Sequence, residues 1–183
     1  MDERVDIVTE HGEATGKTVL KSEAHQNGLF HNTVHVWFYT NRGELLFQKR
    51  AKGKLVFPSL WDVSVAGHVA SGESINTSAI REVQEEIGVV ITETQLQKLG
   101  VFRSVQKHSE TLVDCEFHHT FLVKLTIELE HLVKQESEVD ELALWSIDIL
   151  EHKLKHRKTA ETIVPHTQEY FRTIIDAVKR LLQ

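Results

Sequence analysis

The chain has 183 residues, a formal net charge of −6, 40% hydrophobic and 26% charged residues, the balance of a globular domain with a sizeable core. That acidic surplus argues against general nucleic-acid binding, whose usual footprint is a basic excess. A single cysteine, Cys115, cannot form an internal disulfide, no apolar run is long enough to span a membrane and no secretory leader pattern is visible, so a cytoplasmic location is expected.

Val5 to Val8 and Lys17 to Leu20 flank a turn at Glu10–Gly12–Glu13 and predict an opening hairpin within about residues 1–25. In the second hairpin, Thr33 to Thr40 is rich in β-branched and aromatic residues, Asn41–Arg42–Gly43 supplies the turn, and Leu45 to Lys49 returns. Trp61 to Ala66 reads as a short strand running into a loop from Gly67 to Gly72. Ser74 to Ile87 places Thr77, Ala79, Ile80, Val83 and Ile87 at helical spacing, with Gly88 just past the end, and so predicts a helix. Leu99 to Val105, Leu112 to Leu125 and Leu142 to Trp145 read as strands, and Ile147 to His156 and Gln168 to Leu182 as helices. In the last helix Phe171, Ile174, Ile175, Val178 and Leu182 share a face that must be buried somewhere, which leaves a homodimer open. With no internal repeat or linker, the expectation is one α/β domain, a mixed sheet covered on both faces as an α/β/α sandwich. Its core would span about residues 26–150, with a C-terminal helical segment over about 151–183.

The stretch from Gly67 to Val89 carries the chemistry. Glu82, Glu85 and Glu86 stand at i, i+3 and i+4 and share one helix face. Alone, such a run reads as a solvated acidic surface. A hard divalent cation changes its meaning, because Mg²⁺ or Mn²⁺ takes carboxylate and phosphate oxygens, neutralises phosphate charge and lowers the pKa of a bound water.

Spacing decides between the two. Gly67, Glu73, Arg81, Glu82, Val83, Glu85, Glu86, Gly88 and Val89 fill every defined position of G-x5-E-x7-R-E-U-x-E-E-x-G-U, where U is apolar. Average residue frequencies put a chance match below ~10⁻⁶. On this motif the chain is identified as resembling the Nudix hydrolases. The resemblance implies a loop–helix–loop on a mixed sheet, with Glu82, Glu85, Glu86 and the Gly67 carbonyl as metal ligands. It further implies a Glu73–Arg81 pair that braces the loop, Mg²⁺ or Mn²⁺ as cofactor, and hydrolysis of a small diphosphate substrate.

Upstream, HNTVHVWFY (31–39), GELLFQKR and FPSLWDVSVAGH are similar to the branch containing isopentenyl-diphosphate isomerase, over about Lys21 to Trp145. That resemblance implies a second metal site through His25, His31, His68, Asp114 and Glu116, although the gap between the first two histidines is one residue shorter here. Lys21, Arg50 and Lys54 match basic residues that grip diphosphate, a role that suits their charge-assisted donors. Ala66 stands where the isomerase has its acid–base cysteine. Cys115, expected to face away from Asp114 and Glu116 on a strand, is no substitute.

His35, His118 and His119 read as ordinary strand residues. The resemblance places the general base on Glu82 or on a loop before the late strand; here that loop, Lys134 to Glu141, offers Glu138 or Asp140. Glu82, Glu85, Glu86 and Glu138 are the catalytic candidates, while the basic run His152 to Lys158 reads as a solvated helix end. Phe57, Trp61, Phe102 and Trp145 are equally stacking-wall or core candidates. Hydrolysis of a nucleoside diphosphate derivative or similar organic diphosphate is therefore expected. An isomerase is disfavoured by Ala66, and a non-catalytic nucleotide-sensing domain by the intact carboxylates.

Overall fold

A computed structural model describes residues 2–183. The opening hairpin is β1 (Arg4–Val8) with β2 (Ala14–Leu20), and it passes directly into a short helix, α1 (Lys21–Asn27). Sequence patterning missed α1, which has too few turns to show periodicity and no side-chain N-cap bond; Gly28, at φ 58°, ends it. The second hairpin is β3 (His31–Tyr39) and β4 (Glu44–Arg50).

The predicted strand over residues 61–66 is in fact two, β5 (Trp61–Asp62) and β6 (Val65–His68). β5 pairs with β4, whereas β6 pairs with β3. Ser64 lies at the switch, its hydroxyl accepting from the Phe38 N–H and donating to the Leu46 carbonyl, so one side chain bridges the two ladders. Helix α2 (Ile75–Ile87) follows, with the Ser74 hydroxyl accepting from Thr77 N–H as N-cap. Two 13-residue strands, β7 (Gln97–Ser109) and β8 (Leu112–Lys124), form a long hairpin, and β9 (Val139–Ser146) returns to β4. Helices α3 (Ile147–Lys155), α4 (Arg157–Ala160) and α5 (Gln168–Leu181) end the chain.

β3 is the organising strand: parallel to β8, antiparallel to β6, with Ile7 of β1 and Leu45 of β4 at its two ends. Strand alternation then sorts its side chains between two layers. Val34, Val36 and Phe38 join Val65, Phe121 and Val123 under Ala79, Val83 and Ile87 of α2. Trp37, Leu122 and Phe47 meet Tyr170, Ile174 and Val178 of α5 on the other face. The sandwich expected from sequence is therefore present. Each large apolar side chain so buried contributes roughly 1.5–3 kcal/mol. The apolar face of α5 is covered by the chain's own sheet, except near Leu181 and Leu182, which are exposed.

One predicted stripe is rotated. Thr77 is exposed, and the inward face of α2 is Ser78, Ala79, Glu82, Val83, Glu86 and Ile87. Two carboxylates thus point into the protein.

Candidate active site

Gly67 explains how those carboxylates reach the sheet. It shares β6 with Val65, at the alternate position that faces α2. A Cβ there would stand 2.0 Å from Glu82 Cδ, so only glycine admits the carboxyl group. One turn on, Glu86 accepts from Gln48 Nε2 at 3.0 Å and from the Ala66 N–H at 3.3 Å. Gln48 is itself buried at the alternate position to Leu46.

Arg81 holds this loop and helix together. Its guanidinium donates to both carboxylate oxygens of Glu73, to Glu82 at 2.8 Å, to Glu85 at 3.1 Å and to the His68 carbonyl at 3.1 Å. Glu73 and Arg81 are thus paired, and the bonds of Arg81 extend further than that pair. Burial pushes the Glu82 carboxyl up to about 7 against the pull of Arg81. Glu86, buried and repelled by Glu82, is pushed up to about 8. Two buried carboxylates, with a single guanidinium shared among Glu73, Glu82 and Glu85, are a donor set that a divalent cation fits.

On the opposite face of the same strands, the register sets His31 beside Glu116 and Thr33 beside both His68 and His118. α1 brings His25 over them. His25, His31, His68 and Glu116 converge, with ligand atoms within 4.8 Å of one another. His25 Nε2 lies 3.2 Å from His68 Nε2, and Glu116 Oε1 lies 3.6 Å from His31 Nε2 and 3.5 Å from His68 Nε2. Nitrogen ligands ~2.0–2.1 Å from one cation would be separated by about this much. His31 Nδ1 is committed to the Leu29 carbonyl, while its Nε2 is buried without a hydrogen-bond partner. That orphaned nitrogen fits a metal site. Burial keeps His25 near 4 and lowers His68, whereas Glu116 outweighs burial at His31 and raises it. For Glu116 itself burial is outweighed by the imidazoles of His31 and His68, which hold it well below the usual carboxylate range.

Asp114, the fifth residue expected there, stands outside this group. Two residues from Glu116 along an extended strand, it contacts His25 on the Nδ1 side at 3.4 Å, and its other oxygen bonds His108 Nε2 at 2.8 Å.

Both clusters open into one cavity of about 950 Å³. Lys21, Arg50, Lys54 and Glu138 also line it. Lys54 and Glu138 are paired with each other. Arg50 is largely committed: Nη1 donates to Asp62 at 3.1 Å and Nε to the Val56 carbonyl at 3.1 Å, leaving Nη2 toward other partners. Of the four aromatic candidates Phe57 lines this cavity, whereas Trp61 and Trp145, both half-buried, pack together against the core and Phe102 packs on Tyr170.

Sequence reading did not foresee a third group on the wall of this cavity. His35 stacks on His118 with ring centroids 4.1 Å apart, and His166 stands edge-on to both at 5.4 and 5.9 Å. Tyr170 Oη accepts from Trp37 Nε1 and pairs with His35 Nδ1. Asp62 accepts from His166 and Arg50, which outweigh burial and keep it ionised. His35 and His118, read as plain strand residues, turn out to line the cavity. Their only sequence signal is the parity they share with His31 and Glu116; His166 follows Pro165 in a loop and gives none. Cys115 is buried and packs near Gly28, away from this cavity.

The NUDIX domain matches residues 29–167. The chain belongs to the Nudix family. It is 30% identical to an uncharacterised Nudix hydrolase of Clostridium acetobutylicum over 97% of each chain. It is 35% identical to Nudix hydrolase 3 of Arabidopsis thaliana over 75% of this chain, spanning only 18% of that longer protein. It is also 32% identical to isopentenyl-diphosphate Delta-isomerase 2 of Photorhabdus laumondii over 67% of each. A Deinococcus radiodurans crystal structure superposes on this Nudix domain with a TM-score of 0.68 at 22% identity, covering 99% of this chain and 100% of that one. No helix of the described residues is long and apolar enough to cross a membrane.

Proposed function

We propose that the protein hydrolyses a diphosphate linkage in a nucleoside diphosphate derivative or similar organic diphosphate, with Mg²⁺ or Mn²⁺ as cofactor. The observation carrying this reading is the pair of buried carboxylates, Glu82 and Glu86, beside Gly67 in a cavity also lined by Lys21, Arg50 and Lys54. Glu82, Glu85, Glu86 and the Gly67 carbonyl would hold the ion, and His25, His31, His68 and Glu116 a second one. When bound, such an ion neutralises phosphate charge and lowers the pKa of its water. The chain's own residues do the rest. Lys21, Arg50 and Lys54 donate to phosphate oxygens, Lys54 exchanging its Glu138 partner for one of them. Arg81 fixes Glu82 and Glu85. Glu138, reaching the cavity from the loop before β9, accepts the proton of the attacking water.

Isomerisation is the second reading, motivated by the relatives above. Against it stands Ala66, a methyl group on the cavity wall with no proton to exchange. The test is a panel of nucleoside diphosphates and triphosphates, nucleotide sugars, dinucleotides and isopentenyl diphosphate with Mg²⁺ or Mn²⁺, scoring phosphate release and isomerised product. Metal-dependent release that disappears in Glu86→Gln is expected. Isomerised product without hydrolysis would overturn the assignment, and binding without any turnover would favour a sensing role.

A further inference from the structure

Beyond the two ligand clusters, the cavity wall formed by His35, His118 and His166 is polar where a hydrocarbon-binding pocket would be apolar. His35 and His118 are each only 5% exposed and both line the cavity. Each has its Nδ1 committed, His35 to Tyr170 Oη at 2.8 Å and His118 to Thr33 Oγ1 at 2.8 Å. Among the described residues neither Nε2 has a protein partner, and neither is sealed off as a buried orphan. His166 completes the wall, anchored through Nε2 on Asp62 at 3.2 Å. Ser104 and Gln106 of β7 line the same cavity.

We infer that His35, His118 and His166 form a specificity subsite that receives an uncharged, hydroxyl- or amide-bearing organic group of the diphosphate substrate and rejects a saturated hydrocarbon chain. The inference rests on the diphosphate-hydrolase reading for what fills the rest of the cavity. Its own warrant is satisfaction of hydrogen bonds. A hydroxyl both donates and accepts, so it can pair with either tautomer of an exposed imidazole nitrogen. An alkyl chain would strip water from two imidazole nitrogens and return nothing, and a buried polar atom left unpaired is what such sites discriminate against. A second anionic group is also a poor fit, because the Asp62 carboxylate lies directly behind His166 and Arg50 already spends one guanidinium nitrogen on it. The ring geometry selects as well: the edge-on His166 against the stacked His35–His118 pair gives a corner, suited to a compact polar ring or polyol rather than an extended chain.

The test uses non-hydrolysable methylenediphosphonate esters of ribose, linked through its primary hydroxyl, and of n-pentanol, titrated calorimetrically into the Mg²⁺-loaded protein. The wild type is expected to bind the ribosyl ester at least ~10-fold more tightly, the consequence of one well-made hydrogen bond. His35→Phe combined with His166→Phe should lower ribosyl affinity by about that factor while leaving pentyl affinity equal or improved. His35→Gln, which keeps a polar head, should retain most of the preference. Equal or tighter binding of the pentyl ester by the wild type overturns the subsite, even if the Phe variant does not fold. So does a Phe variant that weakens both esters alike, or failure of both esters to bind to a protein that hydrolyses some diphosphate. Preferential ribosyl binding without hydrolysis of any diphosphate would leave the subsite standing and refute the hydrolase reading instead.

Discussion

Gly67→Ala should separate the fold from the site. The added Cβ would lie 2.0 Å from Glu82 Cδ and 2.3 Å from its Cγ and Oε1, whereas ordinary contact begins at 3.4 Å. Glu82 must therefore retreat by about 1.4 Å, the difference between 3.4 and 2.0 Å. It can do so by rotating its own flexible side chain, so β6 and α2 need not part. The fold loses the 2.8 Å contact with Arg81, which keeps Glu73, Glu85 and the His68 carbonyl. A stability loss below about 2 kcal/mol is expected, since overpacking that a side chain relieves lies at the mild end of its range. The site loses much more. A misplacement of ~1 Å in a catalytic constellation costs about 10²-fold, or ~2.7 kcal/mol of barrier. Urea melts, Mn²⁺ titration and kcat/KM on the substrate identified by the panel give the three readouts. A variant that is fully active, or one that unfolds while Glu82 is also reduced to Ala, would refute the steric argument.

Three further outcomes follow from the same geometry. Glu86→Gln in metal-free protein should raise Tm at pH 8 and leave it unchanged at pH 4.5. The sign follows from the raised carboxyl: with its folded value pushed to about 8, its contribution is present below its unfolded value and is lost as pH rises toward 8. Equal melting curves at both pH values would count against that. His31→Ala should remove one equivalent of bound Zn²⁺ or Mn²⁺ and its Tm increment, while leaving the Mg²⁺ response of the Glu82–Glu86 set; loss of both together would mean a single site. Asp62→Asn, which breaks a buried pair with Arg50 and His166, should cost on the order of 3 kcal/mol in urea unfolding, and a loss under about 1 would show the pair to be replaceable.

The sequence carried much of this because local composition and spacing were informative. The β-branched and aromatic run over residues 33–40 marks the central strand, and Ala79, Val83 and Ile87, the part of the expected stripe that is buried, mark the helix on it. The nine-position motif supplies Gly67 through Val89 as a unit. What escaped was whatever depends on register between distant strands. His118 looks like a strand residue until β8 is laid parallel to β3, which puts it beside Thr33. His166 and Asp62 lie 104 positions apart and meet only because Trp61 bridges to Ile163. The inward turn of Glu82 and Glu86 was hidden for another reason: burying carboxylates opposes every hydropathy rule, and the missing side chain of Gly67 makes it possible.

That residue also separates two surfaces of a single four-residue strand. Val65 and Gly67 of β6 serve the carboxylate side, whereas Ala66 and His68 serve the imidazole side. Because neighbours on a strand never share a face, the two sides are free to vary on their own. A lineage could rewrite position 66, and with it the proton-transfer repertoire of the cavity wall, without disturbing the seat of Glu82 one residue away. That separation makes the two sides of β6 independent variables for redesign.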